Sequence, residues 1–160
     1  MKRLWAPWRM KYIQSHSHGC VFCNVQEHPG EAENLIISRT RQAFVILNLY
    51  PYTSGHLLVV ANRHVATLED LDAEERTEMM ELATRAMRVL REVYKPEGFN
   101  LGANIGKAAG AGIPGHIHLH IVPRWGGDAN FLSTAAETRV LPEDLGETGR
   151  RVRLEWEKKN

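Results

Sequence analysis

The sequence predicts an α+β fold: a mostly antiparallel sheet of about five strands with one long helix packed on it. Three observations carry that expectation. Several apolar runs are of strand length, and a turn-rich connector, Tyr50-Pro51-Tyr52-Thr53-Ser54-Gly55, joins two of them as neighbours. A single long segment has one apolar stripe at helical spacing. The chain has 160 residues, about one domain's worth, and its 43% hydrophobic content is enough to bury a core without staples.

The elements follow in order. Residues 35–38, 43–49 and 56–61 read as strands, the second and third forming an antiparallel pair around the connector. The helix spans 72–94. Asp72 followed three residues later by Glu75 is a capping-box-like start, with Asp in place of the usual Ser or Thr. Met79, Ala83, Ala86, Met87, Leu90 and Val93 then recur every three or four positions, so core packing accounts for the methionines. Pro96 and Gly98 stop the helix. Residues 99–104 and 116–122 read as the last two strands, and 143–157 as a terminal helix.

Composition excludes several classes. Twenty basic against nineteen acidic residues leave a formal charge of +1, which gives no bulk attraction to nucleic acid polymers or membranes. No apolar run approaches the roughly 18–20 residues of a membrane helix. The opening Met-Lys-Arg-Leu-Trp-Ala-Pro-Trp-Arg lacks the continuous apolar stretch of a secretory signal. Cys20-Val21-Phe22-Cys23 would close too small a loop to staple a fold, so the pair reads as metal or redox chemistry in a reducing, cytoplasmic setting.

The most informative stretch is Gly115-His116-Ile117-His118-Leu119-His120-Ile121-Val122-Pro123. Alternation places the three imidazoles on one face of a strand, with neighbours about 6–7 Å apart. Two chemistries fit. The imidazoles could hold a catalytic zinc with an open position for water. Alternatively the central imidazole is itself the nucleophile and its neighbours orient it and assist the leaving group. The upstream run from Gly106 to Gly115 is glycine-rich, and its backbone could approach phosphate oxygens closely. Joined to the histidines, it favours phosphoryl or nucleotidyl transfer.

His116-Ile117-His118-Leu119-His120-Ile121-Val122 resembles the signature of the histidine triad superfamily of nucleotide hydrolases and transferases. Cys20–Cys23, Leu47-Asn48, Ser54-Gly55-His56 with its following apolar run, and Arg63-His64 are similar to that family in the same order. The likeness covers a core of about 19–125 within a single 1–160 domain, leaving an arm at 1–18 and a tail at 126–160. Leu4-Trp5-Ala6-Pro7-Trp8-Arg9, Pro123-Arg124-Trp125 and Gly127-Asp128-Ala129-Asn130-Phe131 resemble a bacterial branch related to diadenosine tetraphosphate phosphorylases.

The resemblance implies cleavage of dinucleoside polyphosphates, by phosphorolysis or hydrolysis, through a covalent nucleotidyl-histidine. His118 would attack the α-phosphorus, His116 would orient the site, and His120 would hydrogen-bond the phosphate or leaving oxygen. Asn48 would contact the ribose and Asn104 the phosphate. The segment before the triad departs from many relatives: Ala111-Gly112-Ile113-Pro114-Gly115 has no polar side chain. Backbone groups at Gly110 and Gly112, with Lys107, would then hold the phosphate. Family members are commonly homodimers. The competing expectations are a zinc hydrolase whose triad binds the metal, and a nucleotide-binding protein with little turnover.

The two-residue gap between Cys20 and Cys23 is that of a thiolate zinc knuckle, which needs two more ligands. Arg63-His64 resembles the position used in zinc-carrying relatives, and His116 at the edge of the triad would be the fourth. Such a zinc would be structural. His16 and His18 are rival ligands; a redox pair and unliganded thiols are the alternatives. His56 reads as a satisfied core histidine and His28 as a surface residue. Lys2, Arg3, Trp5, Trp8, Arg9 and Lys11 either serve the nucleotide pocket or pack on the body as a terminal arm.

Overall fold

The computed structural model describes residues 19–28, 30–128, 141 and 143–158. The Trp/Arg arm, His16 and His18 lie outside them, as do Ala129, Asn130 and Phe131. Five strands, β1 (Ile36–Arg39), β2 (Ala43–Leu47), β3 (Leu57–Ala61), β4 (Gly98–Gly102) and β5 (His118–Arg124), form one sheet in the order β1-β2-β3-β5-β4. Every pairing is antiparallel, and β2 and β3 are adjacent as their connector implies.

Most strand ends shift by one or two positions from the expectation, and two of the shifts have a clear local reason. Sequence pattern carries the second strand through 49, but it stops at Leu47. Asn48 Oδ1 accepts the Tyr50 N–H at 2.9 Å, so the side chain starts a turn where a ladder bond would continue the strand. Alternation starts the last strand at 116, but it begins at His118. Its partner ends at Ala61, and the Ile117 N–H goes to Val65 O (2.7 Å) instead of to β3, so the ladder stops short of His116.

The long helix, α2 (Ala73–Tyr94), keeps its predicted start: Glu75 N–H donates to Asp72 Oδ1 and Asp72 N–H to Glu75 Oε2, both at 2.8 Å. Its stripe buries Met79, Ala83, Ala86 and Leu90 as expected, and adds Leu82 and Val89. The chain leaves the helix through Lys95, which holds a left-handed conformation at φ 47° without being glycine. A C-terminal helix, α3 (Leu145–Lys158), packs on the same layer through Val152 and Trp156. Arg85 of α2 lies over the Trp156 ring at 4.5 Å and donates to its carbonyl at 2.8 Å.

These helices cover one face of the sheet, where Val45, Leu47, Leu57, Val59, Ile117, Leu119 and Ile121 form the main core. Each such fully buried side chain contributes about 1.5–3 kcal/mol. The other face carries Phe44, Ile46, Leu58 and Val60, which a further helix covers with Phe22 and Val25. That helix, α1 (Val21–Glu27), has no counterpart among the elements expected from sequence. At seven residues it is too short for a periodic stripe to declare itself. Among the described residues, no helix is long and apolar enough to cross a membrane.

Candidate active site

Alternation along β5 sends Ile117, Leu119 and Ile121 into the main core and the histidines to the opposite face. His118 lies across from Val60, and His120 lies across from Leu58 on β3 and Gly102 on β4. The His118 and His120 ring centroids are 5.0 Å apart. Phe22, delivered by α1, sits 5.0 Å from His118 and 5.4 Å from His116, closing the apolar side of the row.

Hydrogen bonds fix which nitrogen of each ring carries its proton. His118 Nδ1 is 2.8 Å from the His116 carbonyl oxygen, which can only accept, so Nδ1 is protonated and Nε2 keeps its lone pair. Burial holds the His118 pKa below the ordinary histidine value. The ring is therefore a neutral base with one available nitrogen. On the other side, Tyr52 N–H donates to His56 Nδ1 at 3.1 Å. His56 must then carry its proton on Nε2, which faces His120 Nδ1 at 3.0 Å. Accepting there, His120 presents an N–H at Nε2. Burial, and then the neighbouring His118, push the His120 pKa down to about 4.

His56 is fully buried with partners on both ring nitrogens, as expected of a satisfied core histidine. Its link to His120 is new. The available signal was its position: residues 56, 58 and 60 share a face, and Leu58 lies opposite His120. Tyr52, which no motif singles out, stacks on His120 with the rings 11° from parallel and 5.9 Å apart.

His116 turns away from this row. Its Nε2–H donates to Ala61 O at 2.7 Å, leaving the Nδ1 lone pair aimed at the cysteines. Cys20, Cys23, His64 and His116 converge, with donor atoms all within 4.8 Å of one another. Cys20 Sγ and His116 Nδ1 are 3.3 Å apart, as are Cys23 Sγ and His64 Nδ1, and the two Nδ1 atoms; Cys23 Sγ lies 3.6 Å from His116. A tetrahedral zinc with ordinary Zn–S and Zn–N bonds needs edges of about 3.3–3.7 Å. The four residues fit such an ion in donor type, number and spacing. Cys20 caps α1 and Cys23 lies one turn along it, which brings both sulfurs to one side.

His64 is exposed, yet its neighbours are pinned. Arg63 binds Glu75 through two nitrogens (2.6 and 2.7 Å) and donates to Asp70 O at 2.6 Å. The Val65 carbonyl accepts from Ile117 N–H at 2.7 Å. The capping carboxylate of α2 thus also anchors the loop that aims His64.

The remaining predicted residues are more dispersed. Asn48 Oδ1 is committed to its turn, which sets its amide toward His56 Nδ1 at 3.3 Å. Asn104 lies beyond β4, exposed, and lines the cavity that contains His120. Lys107 begins a single helical turn that Gly110 ends at φ 86°. Gly112 is exposed, and a Cβ placed on it would meet nothing within 4 Å.

Comparisons with known proteins place this geometry. The HIT domain family matches residues 29–127. An "AP-4-A phosphorylase" of Mycobacterium tuberculosis is 40% identical over 166 aligned positions, covering 98% of this chain and 85% of that protein. The "Bis(5'-nucleosyl)-tetraphosphatase [asymmetrical]" of Schizosaccharomyces pombe is 34% identical over 56% of this chain and 48% of its own length. The crystal structure of a Zn-bound histidine triad family protein from Mycobacterium smegmatis superposes with a TM-score of 0.72 at 34% identity, covering 88% of this chain and 95% of that one. Matched in sequence over most of its length and in its five-stranded sheet, this chain belongs to the HIT domain family.

Proposed function

We propose that this HIT-family enzyme cleaves dinucleoside polyphosphates by nucleotidyl transfer through His118. The observation that carries the reading is the ring pair His118 and His120, one offering a lone pair at Nε2 and the other an N–H at Nε2, side by side. The relatives named as a phosphorylase and a tetraphosphatase support the substrate class.

In the first step His118 Nε2 attacks the α-phosphorus. A P–N bond forms, the P–O bond to the leaving polyphosphate breaks, and the electron pair leaves on that oxygen. His120 Nε2–H hydrogen-bonds the departing oxygen, stabilising charge where it develops. The His116 carbonyl, holding His118 Nδ1–H, stabilises the positive charge that the imidazole gains. In the second step an oxygen of orthophosphate or water attacks phosphorus, and the P–N pair returns to Nε2. Orthophosphate yields a nucleoside diphosphate; water yields a monophosphate and releases a proton. The backbone of the Gly106–Gly115 loop, including Gly110 and Gly112, with Lys107 and Asn104, holds the phosphates, and Asn48 contacts the ribose.

Cys20, Cys23, His64 and His116 would hold a zinc ion, which supplies a structural cross-link between α1, the loop before α2 and the start of β5. The two reacting nitrogens, Nε2 of His118 and of His120, lie outside that ligand set. The reading includes a homodimer formed through the outer edge of the sheet at β4, where Leu101 is exposed.

Product analysis tests the function. Diadenosine tetraphosphate with orthophosphate should give ADP and ATP if the acceptor is phosphate, and AMP and ATP if it is water. A nucleotidyl-protein adduct should form with wild type and be absent with His118→Ala. Turnover that survives His118→Ala would refute the nucleophile assignment.

A further inference from the structure

A cavity of about 890 Å³ opens beside His120, large enough for a nucleoside. Tyr52 and Trp125 contribute aromatic surface to it, and Asn100 contributes an amide. Among the described residues, its charges are paired. Arg124 binds Asp128 through two nitrogens at 2.6 and 2.8 Å, and Arg151 binds Glu143 at 2.6 Å. A site for polyphosphate would present uncompensated cations or backbone amides. Aromatic faces, an amide and balanced ion pairs instead suit a flat heterocycle and a sugar.

Gly102 sharpens this. It stands directly opposite His120 in the β5–β4 ladder, in ordinary strand backbone, and lines the same cavity. A Cβ built there meets nothing within 4 Å. Neither a turn nor packing requires glycine at a strand position where a side chain would be more stabilising. What the missing side chain preserves is the open space next to His120.

The orientation of a substrate follows from the roles proposed above, on which this inference rests. A group that hydrogen-bonds the leaving oxygen must touch the leaving half, so that half lies on the His120 side of the attacked phosphorus. Phe22 and α1 occupy the other side of His118. We propose that the cavity beside His120 is a subsite for the second nucleoside, the base and ribose that depart with the leaving polyphosphate. Tyr52 and Trp125 provide its stacking surfaces, and Gly102 is kept bare to admit it.

The test compares two substrates that form the same nucleotidyl-enzyme: diadenosine tetraphosphate, and adenosine 5′-phosphofluoridate, whose leaving group is only fluoride. Gly102→Val narrows the cavity with a residue that favours strands. Trp125→Ala removes a stacking surface, an effect of about tenfold per base. Gly102→Val should lower kcat/KM for the tetraphosphate by about 100-fold, from an excluded and unstacked nucleoside, and Trp125→Ala by about tenfold. Both variants should stay within about threefold of wild type on the fluoridate, because the stacked base is then absent. Equal losses on the two substrates, or none, overturn the subsite while leaving the nucleotidyl-transfer reading intact. Wild-type protein that turns over neither substrate overturns that reading itself, and this subsite with it.

Discussion

His56→Phe removes the fourth histidine while keeping a buried ring. Its hydrogen bonds disappear with it, including the contact from the Asn48 amide at 3.3 Å. The Tyr52 N–H loses its acceptor at 3.1 Å, and His120 Nδ1 loses the donor at 3.0 Å. An orphaned, part-buried N–H costs about 1–3 kcal/mol. For a chain of this size, at about 2–4 °C per kcal/mol, that corresponds to a Tm lower by about 2–12 °C. The catalytic effect is separate. Without the His56 donor, His120 is free to carry its proton on Nδ1, and Nε2 then faces the substrate as an acceptor. Loss of one preorganised donor to developing charge costs roughly 10²-fold in kcat. Steady-state kinetics with diadenosine tetraphosphate and thermal unfolding by circular dichroism measure the two effects. His56→Gln returns an N–H near the ε position and should recover kcat to within about tenfold of wild type. If His56→Phe keeps kcat within about twofold of wild type, the inferred tautomers are wrong and His56 only fills space.

Three further outcomes are expected. Protein as purified should contain one zinc per chain by elemental analysis; Cys20→Ser should lower that content, and chelation should lower Tm by several degrees while activity at low temperature falls only partly. Complete loss of turnover by a chelated but folded protein would instead assign the metal to the chemistry. Glu75, bonded by Arg63 and then by the Asp72 N–H, has its pKa pulled down to about 2. Its stabilisation is therefore present above the ordinary carboxylate range, near pH 4.5, and is lost as pH falls toward 2. Glu75→Gln should destabilise by about 2 kcal/mol at pH 7 through the charge-assisted bonds it loses, and the gap to wild type in urea unfolding should narrow progressively below about pH 4. Lys95→Gly relieves a left-handed residue, and after the greater chain entropy of glycine is subtracted should stabilise by about 0.5 kcal/mol in the same assay.

What could be read from the sequence was what local pattern encodes. The long helix announced itself through spacing, its cap through Asp72 and Glu75, and the histidine row through strict alternation. Strand ends were misjudged where a side chain diverted the backbone, as Asn48 does, or where the neighbouring strand ran out, as at His116. Non-local arrangement was less accessible. Nothing in the local pattern says that β5 enters between β3 and β4, and so nothing there joins His56 to His120 across 64 positions. The resemblance supplied the grouping of Cys20, Cys23, His64 and His116, which spacing alone left open. α1, too short to show periodicity, is the element that carries both sulfurs and shields His118.

The two faces of β5 serve different ends. Ile117, Leu119 and Ile121 are held in the main core under α2, and the residues between them do the chemistry. Alternation by twos keeps a substitution at 118 or 120 out of the main core, although His118 still packs against Phe22 of α1. Inactive variants of these positions should therefore accumulate in cells as folded, ligand-competent proteins. New specificities at the open end of the sheet can likewise be explored by drift without first compensating a loss of fold.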